Sequence, residues 1–204
     1  MFQPGAPLEF VPADGPVREP VTKLGGQPVW LEEPQWPLSG ATGEPMQFLG
    51  QFTLGGGRLA YVFMGDEEYS GGTFEPEGGE NAVVIQPGGR VPDHLTVRAR
   101  AAGPAACTDH LPRLAQTRTS VFFGGPGVEP DWIHEERYPG EGWNLLVQLT
   151  SELADWLPFE GLAEHGVSEE VEPCHYTWGR SGWGTAWAFV SPDGKEGRFL
   201  WDCV

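Results

Sequence analysis

The feature that most constrains this chain is that it is written twice. Gly43–Phe52 (GEPMQFLGQF) lines up with Gly140–Leu149 (GEGWNLLVQL), keeping the Gly, the Glu and the late Gln and matching the apolar positions in kind. Gly57–Met64 (GRLAYVFM) lines up with Gly184–Ser191 (GTAWAFVS), and WLEEPQWP (Trp30–Pro37) with WIHEERYP (Trp132–Pro139). Gly25-Gly26 has its counterpart in Gly124-Gly125. Four blocks in the same order define a repeated unit too small to bury a stable core alone, so the two units are expected to pack as one body. On this register Gln51 matches Gln148, and Phe63 matches Val190 or its immediate neighbour.

The repeat sets the domain reading. Residues 1–22 form a proline-rich N-terminal arm lying mostly over the surface, 23–89 the first unit, 90–120 a connector, and 121–204 the second unit with an insertion over 151–182. Strands are expected over Leu8–Val11, Met46–Leu54, Leu59–Met64, Asn81–Gln86, Leu95–Ala101, Trp143–Thr150, Thr185–Val190 and Arg198–Val204. Each is a short apolar or alternating run bounded by turn residues. Lys23–Pro28 reads as a tight turn, and Gly55-Gly56-Gly57 as a hairpin loop. The insertion carries a helical pattern from Ser151 broken by Pro158, and 108–118 offers one helical turn capped by Thr108 or Asp109. The expected class is therefore mostly β, formally α+β with a minor helical insertion.

Charge excludes several functions. The formal net charge is −17, whereas nucleic acid requires a basic footprint. Binding to nucleic acid or to an anionic membrane is not expected; a basic protein partner is. The middle segment inverts the sign, with five arginines (Arg90, Arg98, Arg100, Arg113, Arg118) against Asp93 and Asp109. A basic connector between two acidic units is expected to lie across them and relieve their repulsion. The three cysteines suit no disulfide framework. No secretory leader or membrane-length apolar run stands out, so a cytoplasmic protein is expected.

Candidate sites follow from residue type. The five histidines and three cysteines show no paired ligand spacing, so neither metal nor cofactor is expected. The GRSGW stretch around Ser181 departs from a nucleophile elbow at its fifth position. Glu33 and Glu135 occupy equivalent places in the two units and would serve acid–base chemistry if both faced one cleft, the basis of an alternative reading as a hydrolase or small-ligand enzyme. The leading candidates are for binding. Trp36 and Tyr138 stand in Pro-rich loops, and Trp178, Arg180 and Trp183 form a recognition loop, with Glu169 and Glu170 just before it. Exposed aromatics dominate binding hot spots.

KLGGQPVWL, PMQFLGQF, the later GWGTAWAF and a C-terminal strand together resemble the bacterial YwqG family, a domain of unknown function. The first two blocks are also similar to the N-terminal part of the eukaryotic programmed-cell-death-2 family. The resemblance runs from about Lys23 onward. It implies a non-enzymatic protein-binding module: an immunity protein beside a secreted polymorphic toxin, or a chaperone-like binder of a basic client. The chain lacks the cysteine-rich zinc finger of the eukaryotic relatives, and the family supplies no catalytic residues to transfer.

Overall fold

A computed structural model describes residues 3–65, 73–117, 119–150 and 184–203. Among these residues there are twelve strands and no helix. The α+β expectation is thereby corrected to an all-β class. The insertion 151–182, on which the helical expectation chiefly rested, lies outside the described residues. The other helical expectation, over 108–118, is corrected by a strand at His110–Leu114.

The first unit contributes β2 (Lys23–Leu24), β3 (Trp36–Leu38), β4 (Gln47–Gly55), β5 (Arg58–Met64) and β6 (Asn81–Gln86). The second contributes β9 (Phe122–Phe123), β10 (Asn144–Thr150), β11 (Gly184–Val190) and β12 (Gly197–Cys203). Both central ladders run antiparallel with the same irregularity. In β4–β5 the register shifts between Phe48 and Gly50, so that Gln51 faces Tyr61. In β10–β11 it shifts between Leu145 and Val147, so that Gln148 faces Trp187. Phe48 pairs with Phe63 and Leu145 with Phe189. Phe63 therefore corresponds to Phe189, one residue from the position obtained by anchoring the alignment on Gly57 and Gly184. The first hairpin turns through Gly55, Gly56 and Gly57, all with positive φ, a run of left-handed backbone that only glycine adopts without strain.

Alternation sorts the side chains of each sheet. Ala60, Val62, Val83 and Ile85 of the first sheet join Val147, Leu149, Ala186, Ala188, Phe199 and Trp201 of the second in one central core. The intervening residues, Tyr61, Phe63 and Val84 in one sheet and Trp187, Phe189 and Leu200 in the other, form separate clusters on the outer faces. Sheets covered on both faces need near-continuous apolar strands, and β5 and β6 are buried almost throughout.

The arms are exchanged between the units. Strand β1 (Leu8–Pro12) precedes the first unit but leads to the second: Pro7 bridges Phe122, and the Leu8 and Gly5 amides donate to Val121 O and Phe123 O, each at 2.8 Å. Strand β8 (His110–Leu114) precedes the second unit but pairs with the first, His110 facing Leu24. The two arms pair with each other antiparallel from Leu8↔Leu114 to Pro12↔His110. This explains why His110–Leu114 is a strand: β1 and β2 both need a backbone partner there. Pro112, which has no N–H, sits past the end of the short β2, where no ladder bond on that side is required. Leu8–Pro12 is thus the edge strand of the six-stranded sheet, with Leu8 and Phe10 buried in the central core, while residues 13–21 of the arm stay on the surface.

At the opposite seam β6 and β12 lie side by side. Asn81 Nδ2 donates to Phe199 O at 3.2 Å, and a Cβ on Gly197 would lie 2.4 Å from Val83 Cγ1. By ladder position Asn81 corresponds to Gly197 and Val83 to Phe199, so these two contacts exchange under a pseudo-twofold, as in an isologous interface.

The connector lies over the outer face of the first unit and also reaches the second, where Arg90 bonds to Glu196 at 2.5 Å and to Asp193 at 3.2 Å. Its strand β7 (Thr96–Arg98) pairs with β3. Gln27 and Gly103 exchange two hydrogen bonds, and Arg100 stands 6.0 Å from the Trp36 ring centroid.

Candidate functional site

Each unit closes its outer face with the Trp-Pro loop. In the first, Trp30 packs on Tyr61 and Phe63 with centroid separations of 4.7 and 6.2 Å. In the second, Trp132 packs on Trp187 and Phe189 at 4.8 and 6.0 Å. The large partners are traded: Trp36 on the loop and Tyr61 on the strand become Tyr138 and Trp187. Gln51 and Gln148 tie the two loops down identically. Gln51 Oε1 accepts from Val29 N at 2.9 Å and its Nε2 donates to Val21 O at 2.8 Å. Gln148 Oε1 accepts from Asp131 N at 2.8 Å and its Nε2 donates to Ser120 O at 3.0 Å. A buried amide must be satisfied, and these two are satisfied as scaffold.

The loops part company at their far ends. Gln86, buried at the end of β6, accepts from Leu31 N and Glu32 N at 3.2 and 3.1 Å and donates to Glu33 O at 2.9 Å. The matching residue of β12 is Asp202, and a carboxylate cannot donate to a carbonyl. Its Oδ2 instead lies 3.0 Å from Nδ1 of His134, the counterpart of Glu32. An open cleft of about 660 Å³ lies here, lined by Phe74, Glu75, His134, Glu135, Arg137 and Asp202. Phe74 stacks on Trp201 at 3.9 Å. Arg137 Nη2 donates to Phe74 O at 3.1 Å and to Glu75 Oε1 at 3.4 Å. Arg198 donates to Glu77 at 3.0 Å and to Glu196 at 3.2 Å. Among the described residues no three His, Cys, Asp or Glu side chains are arranged to hold a metal ion.

Two tyrosines have raised hydroxyl pKa values. Burial pushes Tyr61 up to about 12, with the nearby Glu32 charge adding and the hydrogen bond from Leu31 N opposing. Burial also takes Tyr138 to about 12, helped by its hydrogen bond to Glu129 and by the charges of Glu129 and Glu136.

Of the residues singled out in the sequence, Trp36 is not a surface contact. It is fully buried, and its Nε1 donates to Met46 O at 2.8 Å. Tyr138 is half-buried, donating its hydroxyl to Glu129. Glu33 and Glu135 are both exposed but belong to loops over the outer faces of different sheets, and only Glu135 lines the cleft. Trp178, Arg180, Trp183, Glu169 and Glu170 lie outside the described residues. The pair His134 and Asp202 escapes sequence reasoning, although the repeat held the signal: the residues opposite them, Glu32 and Gln86, differ in chemistry. No protein-family model matches the sequence, and neither does any curated protein or solved structure.

Proposed function

We propose that the protein is a non-enzymatic, cytoplasmic binding module whose second-unit loop and adjoining cleft receive a basic protein, either a toxin to be neutralised or a client to be held. The observation that carries this reading is the composition of the loop. Between Glu129 and Arg137 it exposes Glu129, Asp131, His134, Glu135 and Glu136, and Glu75 stands across the cleft. Its counterpart over Gln27–Gln35 has only Glu32 and Glu33 as acids. Arg137 is offset by Glu75, and Arg198 is bonded to Glu77 and Glu196, which leaves the loop's own Glu129, Asp131, Glu135 and Glu136 to set its charge. Clustered charge of one sign steers an oppositely charged partner and raises its association rate. The Trp178–Trp183 stretch of the sequence belongs to the same proposal as a source of aromatic contacts. Because Glu33 and Glu135 share no cleft, the hydrolase alternative gains no geometric support.

The test is capture of the partner from the native cell, followed by surface plasmon resonance at two salt concentrations. Glu135→Lys with Glu136→Lys is expected to lower the association rate by about tenfold at low salt and to flatten its salt dependence. A captured partner that is acidic, or an association rate indifferent to both salt and charge reversal, overturns the reading.

A further inference from the structure

We infer that the outer face of the second unit is a docking groove for an extended, arginine-bearing segment of the partner, held as the first unit holds its own connector, a reading that rests on the proposed binding of a basic protein and names the element recognised. The connector supplies the template. Strand β7 pairs with β3, Arg98 opposite Trp36. Beyond it, Arg100 lies over the Trp36 ring, and Ala101 O accepts from the Trp30 indole at 2.9 Å. Gly103 exchanges two hydrogen bonds with the Gln27 side chain. The stretch from Arg98 to Gly103 is thus received by a backbone ladder, a ring, an indole donor and a loop side chain. Under it Trp36 is fully buried.

The second unit repeats the receiving parts. Trp132 matches Trp30, Tyr138 matches Trp36 and, counting back from the indole, Glu129 matches Gln27. The ring pairs meet edge to face alike, Trp30 with Trp36 at 6.3 Å and Trp132 with Tyr138 at 5.3 Å. Among the described residues, however, no strand stands opposite Tyr138 and nothing accepts from the Trp132 indole. Tyr138 and Trp143 are half-buried, whereas their counterparts Trp36 and Met46 are 0% and 1% exposed. An indole N–H set among packed rings ordinarily finds an acceptor, and in the first unit that acceptor is a backbone carbonyl of the covering segment. Residues 38–42 have no counterpart, so the ladder on offer is short and centres on Tyr138.

Charge fixes which segment fits. Gln27 gives way to Glu129, and Glu136 and Glu141 stand exposed nearby in sequence, none of the three paired with a cation among the described residues. Arg198 already lies over Trp143, 5.2 Å from its centroid, which leaves the Tyr138 ring for an incoming guanidinium. A guanidinium stacks on an aromatic face and pairs with carboxylates in a fork, whereas an ammonium does both less well. Main-chain pairing gives an added strand its affinity, and the ring and carboxylates give it specificity.

The probe is the connector's own sequence supplied as a free peptide, acetyl-Arg-Ala-Arg-Ala-Ala-Gly-amide, added to the full chain at low salt. It is expected to bind with a Kd of roughly 0.1–1 mM. The Trp132 indole N–H resonance should move downfield as a carbonyl bonds to it, and that of Trp30 should stay in place. The same peptide with citrulline, the uncharged isostere, at both arginine positions should bind about tenfold more weakly. Glu136→Gln with Glu141→Gln, both exposed, should weaken the arginine peptide by about fivefold without disturbing the fold. Trp132→Phe keeps a ring on Trp187 and Phe189 but removes the donor, and should also weaken it by about fivefold. Equal binding of the two peptides, or binding that leaves the Trp132 indole unmoved, overturns the groove. So does a Trp132 indole already protected from exchange in the free protein, since another segment of the chain or a second copy then fills the place. With the native partner, Trp132→Phe leaves the loop's charge intact and should hasten dissociation about fivefold without altering the salt dependence of association. Full affinity of the native partner for that variant overturns the groove and leaves the wider binding function, tested at Glu135 and Glu136, intact.

Discussion

The two Trp-Pro loops show what duplication keeps and what it releases. Both are held at one end by a buried glutamine in the same two roles, and both pack one indole on the outer face of a sheet. At the other end they diverge. Gln86 bonds to the backbone of the first loop, and the connector covers that loop through Gln27, Gly103 and the Trp30 indole, which donates to Ala101 O at 2.9 Å. In the second unit the amide is replaced by Asp202, the contact moves to a histidine side chain, and the loop carries the exposed acids. One copy secures the architecture, and the other is free to carry a site.

Similar exchanges run through the pair. Lys23, fully buried, occupies the ladder position of Phe122. Its ammonium is bonded to Gln27 O at 2.7 Å and to Asp109. The largest expected effect is therefore at Lys23. Lys23→Ala leaves Asp109 buried without its cation and should lower unfolding stability by about 3–5 kcal/mol in urea titration. Replacing both partners, with Lys23→Met and Asp109→Asn, should recover most of the loss. If the single and double variants are equally damaged, the pair is not what distinguishes this position from Phe122.

Next come the paired glutamines. Gln51→Leu and Gln148→Leu should each cost about 2–3 kcal/mol, because each strands a loop amide and a carbonyl in the interior. Trp187 Nε1 also donates to Gln148 Oε1 at 3.0 Å, so the second substitution should be the worse of the two. A cost confined to one unit would break the structural equivalence of the loops. A smaller effect is expected at the divergent end. Asp202→Gln restores the amide of the first unit and should stabilise the second loop by about 0.5–1 kcal/mol while reducing partner association. Hydrogen exchange of the 131–137 amides reads the first effect, and association kinetics the second.

The smallest effect is in alkaline solution. Tyr61 and Tyr138 both have folded pKa values raised to about 12, so the fold favours their neutral forms. The stability they contribute is complete below the ordinary tyrosine range near 10 and is lost as pH rises from there through about 12. Tyr61→Phe should remove a late transition from the ultraviolet titration and flatten part of that alkaline loss.

Much of this fold is written locally. The strands of both units stand out as apolar runs between turn residues, and the glutamine inside each run marks the matching ladder positions. The slip at β11 arose because a loop glycine served as the anchor, whereas the true correspondence follows the bulges at Phe48–Gly50 and Leu145–Val147. The exchanged arms were not legible, because HLPRL has no period of its own and becomes a strand only where β1 and β2 leave backbone groups to satisfy. Trp36 looked like a surface residue because its loop is rich in proline, yet β7 and Gly103 close over it; a Cβ on Gly103 would meet the indole at 2.8 Å. The acidity of the second loop was visible in composition. The cleft was not, because Phe74 and Glu75 reach it from the first unit.

The exchanged arms also set an order of events on the ribosome. β1 is among the first segments synthesised, but the strand it pairs with is made about a hundred residues later, as the ion pair between Glu9 and Arg113 spans 104 positions. β2 likewise waits for His110. While the first unit emerges, its apolar arm has no native partner, and non-local pairing of this kind slows folding and exposes nascent chains to misassociation. Neither half can be completed from its own residues, so the first unit cannot close until β8 of the connector has cleared the exit tunnel.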